Sequence, residues 1–126
     1  MVRKIFEFEG MGFKFSMLAK GFTEQSAAMP ISKILSSMVE VRDVDGEKKF
    51  FDTQDTTILM LNILYGGAKA YAISKGTKEP NIDQVSDFVE TLQPEQIEEM
   101  YTSAFKSYFP NAKAPEPQKE PGENGA

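Results

Sequence analysis

Between Ile58 and Pro110 three helical patterns follow one another with only short breaks, and they commit most of the chain to a helical body. In the first, Leu59, Ile63, Ala70 and Ile73 recur with Met60, Leu64, Ala68, Tyr71 and Ala72, so the apolar face is wide. From Ile58 to Tyr65 only Asn62 is polar, which puts this helix at the centre of the domain or turns one side of it to a partner. Asp52 or Thr53 can cap it, with Asp55 or Thr56 in its first turn. Lys75 and Gly76 form a stop signal. The Gly66–Gly67 pair inside it costs about 1 kcal/mol per glycine relative to alanine, so a tight crossing or a bend is expected there, at Gly67 above all.

Asn81 opens the second helix, with Gln84 placed to complete a capping box and Asp83 matched to the helix dipole. Val85, Phe88, Val89 and Leu92 make its apolar stripe. Pro94 and Glu95 open the third, whose stripe is Ile97, Met100, Tyr101, Ala104, Phe105 and Tyr108, with a limit near Phe109 set by Pro110. The short link between these two helices predicts that they turn sharply and pack as a pair. After Pro110 the tail from Asn111 to Ala126 holds three prolines and no large apolar residue, so it is expected to stay disordered. Residues 1–110 are then a single domain, and 111–126 an acidic, proline-rich tail.

The N-terminal half carries shorter signals. Phe6 and Phe8 alternate with Glu7 and Glu9, and Phe13 and Phe15 with Lys14 and Ser16, which predicts a hairpin turning at Gly10–Met11–Gly12. Such a ribbon is marginal alone, so its aromatic face must cover a helix or pair with more strands. Gly21 and the polar run Thr23–Ser26 break the pattern, and Pro30 marks a boundary. Ile31, Ile34, Leu35 and Met38 then predict a short helix of roughly 8–10 residues, with Pro30 as its first. For the next segment two readings stand. Either Val39–Val44 forms a second hairpin through an Asp45–Gly46 type I′ turn, pairing Val44 with Glu47 and Val41 with Phe50, or the helix runs on to Arg42 before a loop. The fold class expected is mainly α, an α+β domain with a short N-terminal hairpin and room for a second near 39–51.

Composition narrows the chemistry. With no cysteine there are no disulfides, thiolate zinc sites, iron–sulfur clusters or cysteine nucleophiles. With no histidine the usual neutral-pH general base is missing. Asp43, Asp45 and Glu47 resemble a fragment of a calcium loop but lack its twelve-residue ligand spread, so they read as a turn. Asp83, Asp87 and Glu90, like Glu95, Glu98 and Glu99, read as solvated helix faces. Gly10–Met11–Gly12 lacks the trailing Lys–Ser/Thr pair and precedes a strand-like segment rather than a helix, so it is no phosphate loop. A non-enzymatic protein without cofactor or metal is expected.

A net charge of −5, from 14 basic and 19 acidic residues, repels a phosphate backbone, so no nucleic-acid partner is expected. Charges in the first residues spoil a signal peptide, and no run approaches 18 apolar residues, so neither export nor a membrane partner is expected and the cytoplasm is. Of the seven methionines, Met17, Met29, Met38, Met60 and Met100 lie near apolar faces. They serve either as core filling or as the lining of a groove for an apolar helix, with Tyr101 and Tyr108 as polar-edged anchors.

Three segments, LYGGAKAYA (Leu64–Ala72), NIDQVSDFVE (Asn81–Glu90) and PEQIEEMYTSAFKSYFP (Pro94–Pro110), stand behind an opening strand pair and before a Lys/Pro/Glu-rich end. In this order they resemble the tail assembly chaperones of long-tailed bacteriophages, while Ser26–Asp55 fits that pattern least. The resemblance implies a protein of the host cytoplasm during infection, absent from the mature virion. It would coat the tape measure protein, keep its apolar helices soluble and yield to the tail tube subunit. Copies of itself are further candidate partners, and a longer frameshifted form is a family trait. Met60, Leu64, Tyr71, Met100, Tyr101, Phe105 and Tyr108 are the candidate client-binding residues. The competing reading is a structural tail or head–tail connector subunit built into a ring or tube.

Overall fold

The computed structural model describes residues 4–109. Two antiparallel hairpins and five helices follow one another: β1 (Ile5–Phe8), β2 (Met11–Lys14), α1 (Met17–Ala27), α2 (Ile31–Met38), β3 (Val39–Val44), β4 (Glu47–Asp52), α3 (Thr56–Lys75), α4 (Ile82–Val89) and α5 (Pro94–Tyr108). This is a mainly helical α+β domain. The expected tail at 111–126 lies outside the described residues. Among those described, no helix is long and apolar enough to cross a membrane.

The first hairpin pairs Phe6 with Phe13 and Phe8 with Met11. That register needs a two-residue connection, so the turn is Glu9–Gly10, with Gly10 at φ 103°, and Met11 and Gly12 belong to β2 rather than to the turn expected from sequence. Phe6, Phe13 and Phe15 are fully buried, and Phe88 of α4 closes on Phe8 and Phe13 at ring separations of 6.1 Å. The ribbon is therefore held by what it covers. On its other face Tyr71 of α3 lies over Gly12 and donates its hydroxyl to Glu7 at 2.9 Å, with Lys75 3.7 Å from the same carboxylate.

Residues 17–27, read from sequence as a break, form α1. Ser16 caps it by accepting the Ala19 N–H at 3.3 Å, and Ala28 ends it in the left-handed region. Only Ala19 and Thr23 are fully buried along it, too narrow a face to register as an apolar stripe. They are small because α3 runs close behind them: a Cβ on Gly66 would stand 2.6 Å from the Ala19 carbonyl and 2.2 Å from the Thr23 hydroxyl. The close helix crossing thus falls on Gly66. Gly67, where it was expected, instead receives the ring of Phe15, whose nearest atom would be 2.5 Å from an added Cβ.

Helix α2 begins where Glu24 accepts the Ile31 N–H at 2.7 Å, just after Pro30. It passes directly into β3, so of the two readings the hairpin holds, with Asp45 and Gly46 both at positive φ, Val44 opposite Glu47 and Val41 opposite Phe50. The last carbonyls of α2 are met by hydroxyls from the β4–α3 connection and the first residue of α3. Thr53 donates to Ser37 at 2.6 Å and Thr56 to Met38 at 2.8 Å. Asp55 holds the N-cap position of α3 without a side-chain cap bond.

Helix α3 is the axis of the domain; α1, β2, α4 and α5 all pack on it. It closes at Gly76, φ 70°, with Thr77 N–H returning to the Ala72 carbonyl at 2.9 Å. The Asn81–Gln84 capping box of α4 forms as its sequence predicts, at 2.8 and 2.9 Å. Pro94 opens α5. Contrary to the expected helix pair, α4 and α5 each pack more on α3 than on each other.

Candidate protein-binding surface

The wide apolar face of α3 is mostly spent on the domain's own core. Leu64, Met100 and Tyr108, expected to meet a client, are only 2%, 0% and 6% exposed. A client touching the folded surface does not reach them. The reason is geometric: α1, the first hairpin, α4 and α5 surround α3 on several sides, so a helix apolar nearly all round is satisfied internally.

The other four candidates are half-buried. Met60 packs against the core cluster. Tyr71 is the strap over the first hairpin, and its hydrogen bond to Glu7 raises its pKa above the ordinary tyrosine value. Tyr101 donates to the Met38 sulfur at 3.1 Å, and burial, then the charge of Asp52, pushes its hydroxyl up to about 12. Phe105 stands apart from the core cluster, with the Phe109 ring 5.3 Å away. The structure therefore does not gather the seven residues into one face. Of the helix-pair residues expected to cluster, Val85 and Met100 lie in the core, and Phe88, Leu92, Ile97 and Tyr101 pack against it. Phe105 does not join them.

A different apolar strip is left open along α1 and α3. On α1, Leu18 and Phe22 share one side, four residues apart. On α3, Ile58, Leu61, Tyr65 and Lys69 fall on one side at helical spacing, and Ile58 is 60% exposed. The two sides meet around Lys69, whose Nζ lies 4.5 Å over the Phe22 ring and 6.0 Å from that of Tyr65. The Lys69 ammonium also reaches Glu79 at 3.9 Å. Phe22, Gln25, Ser26, Tyr65, Lys69, Asn81 and Ile82 line an open depression of about 400 Å³ here. A second one, about 490 Å³, lies between the first hairpin and the α3–α4 connection, with Phe8, Met11, Tyr71 and Pro80 in its wall.

Sequence reasoning missed this strip because half of it sits on the unrecognised α1. The available signal was Leu18 and Phe22 at i and i+4 behind Ser16, a capping residue.

Among the described residues, no group of three or more acidic side chains is placed to hold a metal ion. Polar groups do reach the interior at α5, where Ser103 and Tyr108 are buried with their hydroxyls outside hydrogen-bonding geometry. Burial raises the pKa of Tyr108, and the nearby Thr23 hydroxyl offsets part of that effect. No family model, curated protein or solved structure matches this chain.

Proposed function

We propose that the protein is a tail assembly chaperone of a long-tailed bacteriophage, a non-enzymatic binder that keeps the tape measure protein soluble in the host cytoplasm until tail tube subunits replace it. The open strip of Leu18, Phe22, Ile58, Leu61 and Tyr65 carries the reading. It is apolar, shallow and elongated, the shape that accepts an amphipathic helix through tolerant contacts rather than a small molecule through a deep pocket. The acidic net charge of −5 keeps such a complex soluble. The order of the three helical segments, which resembles that family, supplies the identity of the client.

Coexpression with the tape measure protein of the same genome tests this. The client's soluble yield should rise and the two should copurify. Leu18→Asp and Ile58→Asp, both at exposed positions, should weaken capture while leaving the circular dichroism of the free protein intact. If the wild-type protein neither copurifies with the client nor changes its solubility, the chaperone reading fails. The structural-subunit reading has one observation in its favour, the β3–β4 hairpin with its exposed Val41 and Phe50. A stable ring or tube formed by the protein alone would place that reading first.

A further inference from the structure

We propose that β4 pairs with β4 of a second copy about a twofold axis at Phe50, joining two β3–β4 hairpins into one four-stranded antiparallel sheet. The hairpin forms a two-stranded sheet of its own, so among the described residues no strand pairs with the outer edge of β4. In a hairpin closed by a two-residue type I′ turn, the flanking pair Val44–Glu47 exchanges the ladder hydrogen bonds. Alternation then aims the amides and carbonyls of Glu47, Lys49 and Phe51 at β3, and those of Lys48, Phe50 and Asp52 outward. Those three residues are exposed.

An antiparallel twofold centred on Phe50 matches every outward residue with a suitable partner. Phe50 meets Phe50 of the other copy, Lys48 meets its Asp52, and Asp52 meets its Lys48. Val41, opposite Phe50 within each hairpin, extends this contact into a stripe of four apolar side chains across the sheet. Val41 and Phe50 are 52% and 46% exposed in the single chain, so the pairing covers apolar surface that nothing else among the described residues hides. On the opposite face Lys49 falls against Phe51 of the other copy. The edge lysines that would oppose indiscriminate strand addition thus become selective for this one register. A six-residue edge buries less than the roughly 1,000 Å² of a stable interface, so the dimer is weak and concentration-dependent.

The inference needs no client, and its test uses the protein alone. Sedimentation equilibrium from micromolar to near-millimolar protein should show a monomer–dimer equilibrium. Amide hydrogen exchange should show protection of Lys48, Phe50 and Asp52 that grows with concentration, while Lys49 and Phe51, already bonded inside the hairpin, change little. Lys48→Glu and Asp52→Lys each set like charges opposite one another at two places, and each should raise the dissociation constant about tenfold or more. Mixing the two variants restores opposite charges, so the mixture should associate as the wild type does. A wild-type protein that stays monomeric without concentration-dependent protection overturns the proposal. So does association that ignores both substitutions, or that the mixture fails to restore.

Discussion

Replacing Gly66 by alanine should destabilise the protein by about 1–2 kcal/mol, although alanine is the better helix former by about 1 kcal/mol. The added methyl would sit 2.2 Å from the Thr23 hydroxyl and 2.6 Å from the Ala19 carbonyl oxygen. A hydroxyl can rotate away; a carbonyl inside a helix cannot. Reaching ordinary contact at 3.4 Å requires α1 to retreat by about 0.8 Å, which loosens the fully buried Ala19 and Thr23 and the tie of Ser26 to Asn62. Overpacking of this kind costs about 1–3 kcal/mol, and a clash with backbone takes the upper part of that range, about 2–3 kcal/mol, so about 1–2 kcal/mol remains after the propensity gain. Gly21 provides the matched control. It lies in α1 with nothing within 4 Å of an added Cβ, so Gly21→Ala should stabilise by about 0.5–1 kcal/mol. Urea unfolding followed by circular dichroism reads both, and thermal midpoints should move in opposite directions by several degrees. If Gly66→Ala proves as stable as wild type while Gly21→Ala gains as expected, the close α1–α3 crossing is refuted.

Asn81→Ala removes the side-chain oxygen that accepts the Gln84 N–H in the α4 capping box, at an exposed site, and should cost about 1 kcal/mol in the same urea assay. Thr56→Val keeps the shape of the side chain but removes the hydroxyl that donates to the Met38 carbonyl; a loss of about 1–3 kcal/mol is expected, with faster amide exchange at Thr53, whose N–H bonds to that hydroxyl. Stability should fall as pH rises from 10 to 12. Below pH 10 tyrosine is protonated in both states, but above it the unfolded Tyr101 ionises at 10.0 while the folded one holds its proton to about 12. The slope is at most about 1.4 kcal/mol per pH unit for each such tyrosine, and Tyr101→Phe should make a titration of the unfolding midpoint shallower.

Local chemistry was legible where one segment decides its own structure. The Asn81–Gln84 box, Pro94 at the start of α5, Gly76 at the end of α3 and the Asp45–Gly46 turn each encode a backbone geometry within a few residues, and each is found in place. Helix α1 escaped because its pattern is made by a partner far along the chain, Gly66. Ala19 and Thr23 are small where Gly66 leaves room, and a face of small and hydroxylated residues carries no apolar period. The two glycines in α3 announced a close approach, yet nothing in the sequence says that α1 takes one and Phe15 the other.

The same limit explains the binding surface. Periodicity identifies which side of a helix avoids water, but burial in the domain and burial by a partner leave the same stripe in the sequence. Leu64, Met100 and Tyr108 satisfy the period as well as any contact residue would, and the fold spends them internally. What distinguishes Leu18, Phe22 and Ile58 is that five neighbours, α1, α2, β2, α4 and α5, already crowd α3 and together leave that strip partly open. That count requires the tertiary arrangement. An excess of apolar surface is therefore a property of the assembled domain, and the residues a partner would touch are those left over after the core has taken what it needs.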